Sequence, residues 1–180
     1  SQIMATKKNV ADISVEEKLK ALYQLQTMLS EIDKIKTLRG ELPLEVQDLE
    51  DEIEGLTTRI GKYEEEIKEL NADIATKKGN IQTAQASVER YKQQLDDVRN
   101  NREYDTLSKE IEFQTLEIQL QNKKIGEAQE KIAKKQEEIK QNQALLEERR
   151  NDLDIKKSEL DEIISETKAE EEKLREKAKA

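Results

Sequence analysis

Apolar side chains recur at alternating steps of three and four residues through the first half of the chain. Lys77 interrupts a series that otherwise consists of Val46, Leu49, Ile53, Leu56, Ile60, Tyr63, Ile67, Leu70, Ile74, Ile81, Ala84, Val88, Tyr91 and Leu95. Such heptad spacing gathers the apolar side chains into one stripe along a helix, and the stripe needs a partner helix to cover it. The pattern therefore predicts one long coiled-coil helix.

A second apolar series follows, and most of its members are seven residues apart. It consists of Tyr104, Leu107, Ile111, Ile118, Ile125, Ile132, Ile139, Leu146, Leu153 and Leu160. The seam positions between them are largely polar, namely Gln114, Gln121, Lys135, Asn142, Arg149 and Lys156. Polar residues in a seam lower stability but fix the register of the helices. We therefore predict a second coiled-coil helix whose seam is partly polar.

The two series are out of phase by two residues, which indicates a turn between them. Insertions that leave a coiled coil intact shift the heptad pattern by three or four residues, not by two. If the chain folds back as an antiparallel hairpin, the numbers of facing residues add to 202, as for Leu56 with Leu146 and Leu70 with Ile132. The predicted fold class is therefore all-α, a long antiparallel coiled-coil hairpin.

The predicted turn lies at about residues 99–103 and is centred on Asn101. Asparagine tolerates a left-handed backbone and caps a following helix, so Asn100 and Asn101 suit this position. The hairpin tip is predicted to consist of Asn100, Asn101, Arg102, Glu103 and Tyr104.

Local signals divide the part of the chain that precedes the first series. Ser14, followed three residues later by Glu17, forms a capping box, which predicts that a helix begins there. Gly40 and Pro43 predict a break or kink, with Pro43 in the first turn of the next helix. The predicted segments are a disordered tail at 1–13, whose residues before Met4 look like an expression remnant, and one hairpin domain at 14–180, made of an N-terminal helix (14–40), an ascending arm (43–98) and a descending arm (104–177).

The base of the predicted hairpin is poorly matched in apolar residues. Its N-terminal helix carries apolar side chains on two sides, with Leu22, Leu29 and Leu38 on the second side. The returning arm offers Ile163, Leu174 and little else. We therefore expect an uncovered base at Leu22, Leu29 and Leu38, to be filled by self-association or by a further domain.

Three apolar residues near the tip lie outside the seam positions. Phe113, Leu116 and Leu120 are spaced by three and four residues, on the face of the second helix opposite Ile111 and Ile118. A contiguous apolar stripe at this spacing is typical of a surface that a partner helix or groove contacts. The alternative is a scattered set of surface residues, as many proteins carry. We predict a partner-binding patch at these three residues.

The composition limits the chemistry that the chain can perform. Of 180 residues, 41% are charged, and the chain has no cysteine and no histidine, which excludes thiol and imidazole catalysis and the usual zinc ligands. Glutamates are abundant, but acid–base catalysis needs carboxylates that converge in a cleft, which a two-helix coil does not form. We therefore expect no enzyme and no catalytic, cofactor-binding or metal-binding residue in this chain.

The charge distribution argues against nucleic acid as a ligand of this part of the protein. The net charge is −9, and residues 41–69 hold eleven acidic groups against three basic ones, which repel a phosphate backbone. No apolar stretch approaches the roughly 18 residues of a membrane span, and no signal-peptide core follows Met4. We expect a cytoplasmic protein that does not contact a membrane.

The sequence around the turn resembles the tip of a bacterial family in which an N-terminal coiled-coil hairpin precedes a C-terminal four-cysteine zinc ribbon. In that family the tip reads as a polar doublet, Glu-Tyr, a leucine three residues later, and Glu-Ile. The matching residues are Asn100, Asn101, Glu103, Tyr104, Leu107, Glu110 and Ile111, within a stretch of thirteen residues. The resemblance implies a zinc ribbon beyond residue 180, and zinc bound there, because the ribbon cysteines are absent from this chain. It also implies adaptor roles with an alternative sigma factor and with secretion or flagellar components.

Three functional hypotheses follow from these observations. The favoured one is an intracellular adaptor whose rigid coiled coil binds other proteins without catalysis. The second is a nucleic-acid-associated regulator in which the coil is a spacer and the zinc ribbon is the reader. The third is a generic structural rod that forms a parallel dimer, with no hairpin. A homodimer is compatible with the first hypothesis as well.

Overall fold

The chain consists of two long helices. The computed structural model describes the backbone of residues 2–179 and the side chains of residues 14–173 and 175–177. Helix α1 spans Gln2–Asp96 and helix α2 spans Asn101–Lys179, and no strand occurs within the described backbone. Apolar residues of α1 and α2 pack in common clusters, so the helices form a hairpin within one chain. The predicted fold class is confirmed, and a parallel dimer without a hairpin does not describe this chain.

The beginning of α1 differs from the prediction. The helix begins at Gln2 and continues through Ser14, so the predicted helix start at Ser14 is wrong, as is the disordered tail from residue 2 onward. Ser1 lies outside the described residues. Residues 2–13 contain no glycine or proline, and nothing in them opposes an upstream extension of the helix. A capping box is a local preference that a longer helix overrides.

Helix α1 also passes through Gly40 and Pro43 without a break, so the predicted division into segments 14–40 and 43–98 is wrong. Because proline has no N–H, the hydrogen bond to the Arg39 carbonyl is missing, and this is where α1 is expected to bend. Leu42, the residue before Pro43, is 1% exposed, the lowest value in the part of the chain with described side chains. Burial of Leu42 thus holds the helix where its backbone is weakest.

Residues 53–148 form one compact unit with two apolar clusters along the seam. The first cluster consists of Ile74, Ile81, Ile125 and Ala128, with Leu70, Ile118 and Ile132 packed against it. The second consists of Leu56, Ile60 and Leu146, with Ile53, Ile139 and Leu145 packed against it. Leu56 shares a cluster with Leu146, and Leu70 shares one with Ile132, as the predicted register requires. We call this part of the molecule the seam unit.

Residues 1–52 and 149–180 form a second compact unit. Among its described side chains, Leu42 is the buried one. The half-buried apolar residues are Ile35, Val46 and Leu49 of α1 and Leu153, Leu160 and Ile163 of α2. Upstream of Ile35, every side chain from Val15 to Lys34 is exposed. We call this part the terminal unit, because it contains both chain ends.

The turn consists of residues 97–100 and is fixed by a helix cap. The Asn100 side-chain oxygen accepts a hydrogen bond from the Glu103 N–H at 2.9 Å, and its carbonyl accepts one from the Tyr104 N–H at 3.2 Å. Asn100 is therefore the N-cap of α2, as predicted. Asn101 is already helical, and no described non-glycine residue has a positive φ. The turn therefore lies about two residues earlier than predicted, and it uses the capping oxygen of Asn100 without a left-handed asparagine.

Four salt bridges between described residues of the two helices join an acid of α1 to a base of α2. In the seam unit, Lys135 donates to Glu66 at 2.5 Å. In the terminal unit the pairs are Arg149 with Glu52 at 2.9 Å, Lys156 with Glu45 at 3.2 Å and Lys157 with Glu50 at 3.4 Å. Each such pair on a surface contributes little stability. Because the acids lie on α1 and the bases on α2, however, the charges favour this register of the two helices over others.

Candidate protein-interaction surfaces

Phe113, Leu116 and Leu120 form a continuous apolar stripe on α2, which we call the tip stripe. Their exposed fractions are 59%, 56% and 44%. In the same stretch, the seam residues Ile111 and Ile118 are half-buried. The tip stripe therefore faces away from α1, and intrachain packing does not account for its apolar character. Because rows of residues three and four apart lie side by side on a helix, the three side chains can contact one partner together.

Two of the five residues predicted at the hairpin tip, Arg102 and Glu103, line a shallow groove at the turn. Its volume is about 640 Å³, and its lining consists of Gln94, Asp97, Val98, Arg102, Glu103, Thr106 and Leu107. Tyr104 was predicted to open the second seam, but its ring is largely exposed. The structure brings Arg102 and Glu103 into the groove and uses Asn100 as a cap, while Tyr104 points outside both the seam and the groove lining.

A second apolar surface lies on α1 in the terminal unit, and we call it the N-terminal face. It consists of Val15, Leu19, Leu22, Leu25, Met28, Leu29 and Ile32, all exposed. On a helix with 3.6 residues per turn these positions occupy one broad arc. A contiguous apolar surface of this size exceeds the isolated apolar residues that most protein surfaces carry.

The three residues predicted at an uncovered base are all exposed, at 53% for Leu22, 52% for Leu29 and 43% for Leu38. Leu22 and Leu29 belong to the N-terminal face. Leu38 does not, because it follows Leu29 by nine residues, which is two and a half helical turns, and therefore lies on the opposite side. Grouping Leu38 with Leu22 and Leu29 was thus wrong, and Leu38 instead lines a separate shallow groove beside Thr37.

Sequence reasoning missed Val15 and Leu19 as members of the N-terminal face. The signal was present, because Val15, Leu22 and Leu29 are spaced by seven residues. It was obscured by the prediction that the helix begins at Ser14, which placed Val15 in a first turn and gave it no packing role.

The N-terminal face continues into a groove between α1 and α2 within the terminal unit. Its volume is about 330 Å³; Met28, Ile32 and Ile35 form the apolar part, and Glu170, Lys173 and Lys177 form the polar part. Thr167, the residue expected to face Ile35, donates its hydroxyl to the Ile163 carbonyl at 2.8 Å. Leu174, expected to face Met28, has a side chain outside the described residues. The described part of α2 thus offers mainly polar side chains to this face.

A polar cluster in the seam unit shows how charged residues are accommodated beside the seam. The Lys135 ammonium donates to Glu66 and lies 5.6 Å from the centre of the Tyr63 ring. The hydrogen bond lowers the pKa of Glu66 and raises the pKa of Lys135. A hydrogen bond to the neighbouring Glu138 raises the pKa of Tyr63. These contacts link the two helices, so we assign the cluster a structural role.

Lys77, the residue that interrupts the first apolar series, is accommodated in a similar way. Its ammonium donates to Asp73 one turn earlier on α1, while its side chain is mostly covered. The aliphatic part of a lysine can fill a seam position when the charged end reaches water or a carboxylate. This contact is consistent with a structural role for Lys77.

Comparison with known proteins adds no assignment: no family model, no curated protein and no solved structure matches the chain. Within the described residues, no group of three or more histidine, cysteine, aspartate or glutamate side chains is arranged to hold a metal ion. In the same part of the chain, no helix combines the length and the apolar character needed to cross a bilayer. The case for function therefore depends on the exposed apolar surfaces.

Proposed function

We propose that the protein is a non-catalytic cytoplasmic adaptor that binds a partner protein through the tip stripe. The observation that carries this proposal is the exposure of Phe113, Leu116 and Leu120 on the face of α2 that turns away from α1. The seam unit keeps this face rigid, because α2 is packed against α1 along the seam below it. A rigid apolar row on a helix is the kind of surface that a groove or another helix recognises.

Burial of the tip stripe supplies part of the energy that specific binding needs. Burying about 150 Å² of its apolar surface contributes on the order of 4 kcal/mol at about 25 cal/mol per Å². Aromatic residues are frequent among the side chains that dominate binding energies, and Phe113 is the one phenylalanine of the sequence. Phe113 is therefore the expected anchor, with Leu116 and Leu120 beside it.

The resemblance of the tip sequence to the hairpin and zinc-ribbon family suggests which partners to examine first. These are an alternative sigma factor and components of secretion or flagellar machinery. We also propose that zinc belongs to a ribbon domain outside the present chain, and that this chain holds no cofactor of its own. None of these partners is needed for the argument from the tip stripe.

The alternative, a nucleic-acid-associated regulator, has less support from this chain. Four basic residues of α2 that could contact phosphates are paired with carboxylates of α1, namely Lys135, Arg149, Lys156 and Lys157. A nucleic acid would have to compete with these pairs and with the acidic stretch 41–69. Any such function is proposed to reside in the ribbon.

Photo-crosslinking followed by quantitative binding tests the adaptor proposal. A photoreactive phenylalanine analogue at position 113 should capture a partner in the source cells, and the captured protein is then purified. We expect Phe113→Ser combined with Leu116→Ser to weaken its binding at least about 100-fold. Circular dichroism should show unchanged helicity, since neither side chain is buried.

Leu44→Ser provides the matched control, because Leu44 is similarly exposed but lies on α1 in the terminal unit. This variant should bind the captured partner within about twofold of the unaltered protein. A partner that binds the Phe113→Ser/Leu116→Ser variant as tightly as the unaltered protein would refute the proposal. A large loss of melting temperature in that variant would also refute it, because it would show that the stripe is buried within the chain.

A further inference from the structure

The tip stripe is a free surface in the single chain. Phe113, Leu116 and Leu120 are exposed, and none of the three lines the groove at the turn or the grooves of the terminal unit. Lys109 and Lys123 flank them on the same face, and the five residues follow one another at steps of four and three. This is heptad spacing like that of the seam, so the surface fits another helix that carries the same pattern.

The charges along one edge of the tip stripe change sign along the helix. Residues seven positions apart lie in one row, and the row at this edge is acidic toward the turn and basic away from it. It consists of Glu103, Glu110, Glu117, Lys124 and Lys131. Among the described side chains, none of these five forms a salt bridge within the chain. The row is therefore complementary to a copy of itself that runs in the opposite direction.

The seam of the hairpin shows which residues pair when two such helices are antiparallel. Facing seam residues such as Leu56 and Leu146 have numbers that add to 202. Lys157 and Glu50, each one residue beyond a seam position, form a salt bridge, and their numbers add to 207. Three other salt bridges, such as that of Lys135 with Glu66, join residues whose numbers add to 201. Salt bridges thus occur at five above and at one below the sum of the facing residues.

We propose that the tip stripe is covered by the tip stripe of a second copy of this chain, with the two α2 helices antiparallel and the numbers of facing residues adding to 229. Phe113 of each copy then lies opposite Leu116 of the other, so two apolar layers form around a twofold axis. In the next layer on each side, Leu120 lies opposite the aliphatic part of Lys109. Because each copy supplies three apolar side chains, we expect a weak dimer with a dissociation constant on the order of 10–100 μM.

The charges around the tip stripe fit this arrangement. With facing residues at 229, the offsets found in the seam place salt bridges at sums of 234 and 228. Together with one directly facing pair, the opposite charges that meet are Glu103 with Lys131, Glu110 with Lys124, Asp105 with Lys123 and Arg102 with Glu127. Each of these pairs forms twice by symmetry. The two copies of Glu117 meet at the axis and are the exception in the charged row.

The same residues disfavour the competing arrangements. In a parallel dimer the edge row of one copy meets the opposite edge of the other, which brings Glu117 to Glu112. In the antiparallel register one heptad away, where facing numbers add to 236, Arg102 faces Lys134 and Phe113 faces a lysine. The register at 229 therefore combines apolar layers at its centre with opposite charges on both sides of them.

Such a dimer regulates the adaptor interaction, because the second copy occupies the surface that the partner protein binds. This consequence rests on the proposed adaptor function, whereas the dimer itself does not. At concentrations above the dissociation constant most tip stripes are covered, and below it most are free. A partner that binds the tip stripe more tightly than the second copy does displaces that copy.

Sedimentation velocity of the full chain between about 1 μM and 1 mM tests the dimer. We expect the unaltered chain to dimerise in this range, and Lys124→Glu to raise the dissociation constant at least about tenfold, because two attractive contacts become repulsive. Lys124 is chosen because Lys131 also shares a shallow groove with Glu66 of α1. The control Lys140→Glu makes the same charge change at an exposed position outside the contact and should dimerise like the unaltered chain.

Two outcomes of this measurement would overturn the proposal. One is a monomer at every concentration in the range. The other is a dimer that Lys124→Glu and Lys140→Glu leave equally stable, since it would place the contact elsewhere. Circular dichroism at low concentration should agree for all three proteins, because both lysines are exposed in the single chain.

Mixing two charge variants determines the orientation and the register. Glu110→Lys alone places lysine opposite lysine, and Lys124→Glu alone places glutamate opposite glutamate, so each variant should dimerise poorly. In an equimolar mixture the two chains should form a mixed dimer about as stable as the unaltered one, because each lysine then meets a glutamate. A parallel dimer, or the antiparallel register at 236, gives no such preference. Absence of the mixed dimer would therefore overturn the proposed arrangement.

Adding the captured partner protein to the dimer tests the regulatory consequence. We expect the partner to dissociate the dimer into complexes that contain one copy of each protein. A complex with two copies of this chain would show that the dimer leaves the tip stripe accessible and would overturn the regulation. A chain that dimerises as described but captures no partner would refute the adaptor function alone, and a monomer that binds the partner would refute the dimer alone.

Discussion

The seam unit and the terminal unit contain the same two helices but use their apolar residues in opposite ways. Seven of the eight buried hydrophobic side chains among the described residues belong to the seam unit, and Leu42 is the exception. Where side chains are described, twelve of the sixteen exposed large hydrophobic ones belong to the terminal unit. Burial of apolar side chains stabilises the seam unit, whereas their exposure in the terminal unit leaves an apolar surface that a partner protein can contact.

The difference arises from α2 rather than from α1. In the seam unit, α2 supplies an isoleucine or leucine every seven residues, from Ile111 to Leu146, and α1 matches them. In the terminal unit, α1 continues its apolar pattern toward Val15, but the α2 residues at the same level are Thr167, Glu170 and Lys177. An apolar helix face without an apolar partner among the described side chains is available to another chain.

Truncating a leucine in each unit gives the largest expected contrast. Leu56→Ala should lower the free energy of unfolding by about 2–4 kcal/mol, because it leaves a cavity in a buried cluster. Leu22→Ala should change it by less than about 0.5 kcal/mol, since its side chain is exposed. Urea denaturation at low protein concentration measures both. Equal losses would mean that the N-terminal face is packed within the chain.

A polar residue inside the seam unit should mark its weakest point. The side-chain oxygen of Gln121 is buried and has no hydrogen-bond partner among the described residues. Gln121→Leu removes this unpaired group while retaining the size of the side chain, and should stabilise the unit by about 1 kcal/mol. Gln119→Leu, at an exposed position of α2, is the control and should have no such effect in thermal denaturation. A destabilised Gln121→Leu variant would contradict the assignment.

Glycine replacement separates helix propensity from packing in the two units. A Cβ added at Gly79 in the seam unit or at Gly40 in the terminal unit would have no neighbour within 4 Å. Each change to alanine should therefore stabilise its helix by about 0.5–1 kcal/mol through propensity alone. Amide hydrogen exchange around each position is the measurement. Lower protection at Gly40→Ala would indicate that α1 needs flexibility next to Pro43.

The salt bridge between Glu66 and Lys135 should contribute the smallest effect, and that effect should depend on pH. The lowered pKa of Glu66 gives a contribution that is complete above its ordinary value of 4.5 and disappears as pH falls through the lowered pKa. The raised pKa of Lys135 gives one that is complete below 10.5 and disappears as pH rises through the raised pKa. Glu66→Gln should therefore destabilise the seam unit between these limits.

The pH profile of the unfolding free energy distinguishes this pair from general charge effects. The difference between the unaltered chain and Glu66→Gln should vanish in acid. Glu65→Gln, at an exposed neighbouring position, removes the same charge and serves as the control. If both variants show the same pH dependence, the bond to Lys135 contributes nothing specific.

The periodic part of the structure could be predicted from the sequence because one repeated interaction determines it. The register that joins Leu56 to Leu146 follows from apolar phase alone, and the outward direction of Phe113 follows from the same phase. The predicted turn was about two residues too late, because the spacing of the seam residues does not determine how many residues between the two helices are non-helical. Asn100 was identified by its capping chemistry, and its neighbour Asn101 has the same chemistry without the role.

Local signals failed where the surrounding helix was stronger than they were. Ser14 and Pro43 each resemble a helix boundary, yet helical residues on both sides carry α1 through them. The acidic stretch 41–69 was interpreted through its repulsion of nucleic acid, whereas its acids Glu45, Glu50, Glu52 and Glu66 pair with α2. Whether two long charged side chains pair depends on the distance between them across the seam, and amino-acid composition does not give that distance.

The four-residue turn capped by Asn100 also has a consequence for the order of folding. Layers beside the turn close loops of only a few residues, whereas the bond from Lys135 to Glu66 joins residues 69 positions apart. Because loop closure costs more entropy as the loop lengthens, pairing is expected to start at the turn and to proceed layer by layer away from it. During synthesis, α1 leaves the ribosome before α2 does. The α1 seam residues from Ile53 to Leu95 therefore remain without a partner until the capped turn has emerged. Leu95 is the last of them to be translated, and it is the first that can pair with α2.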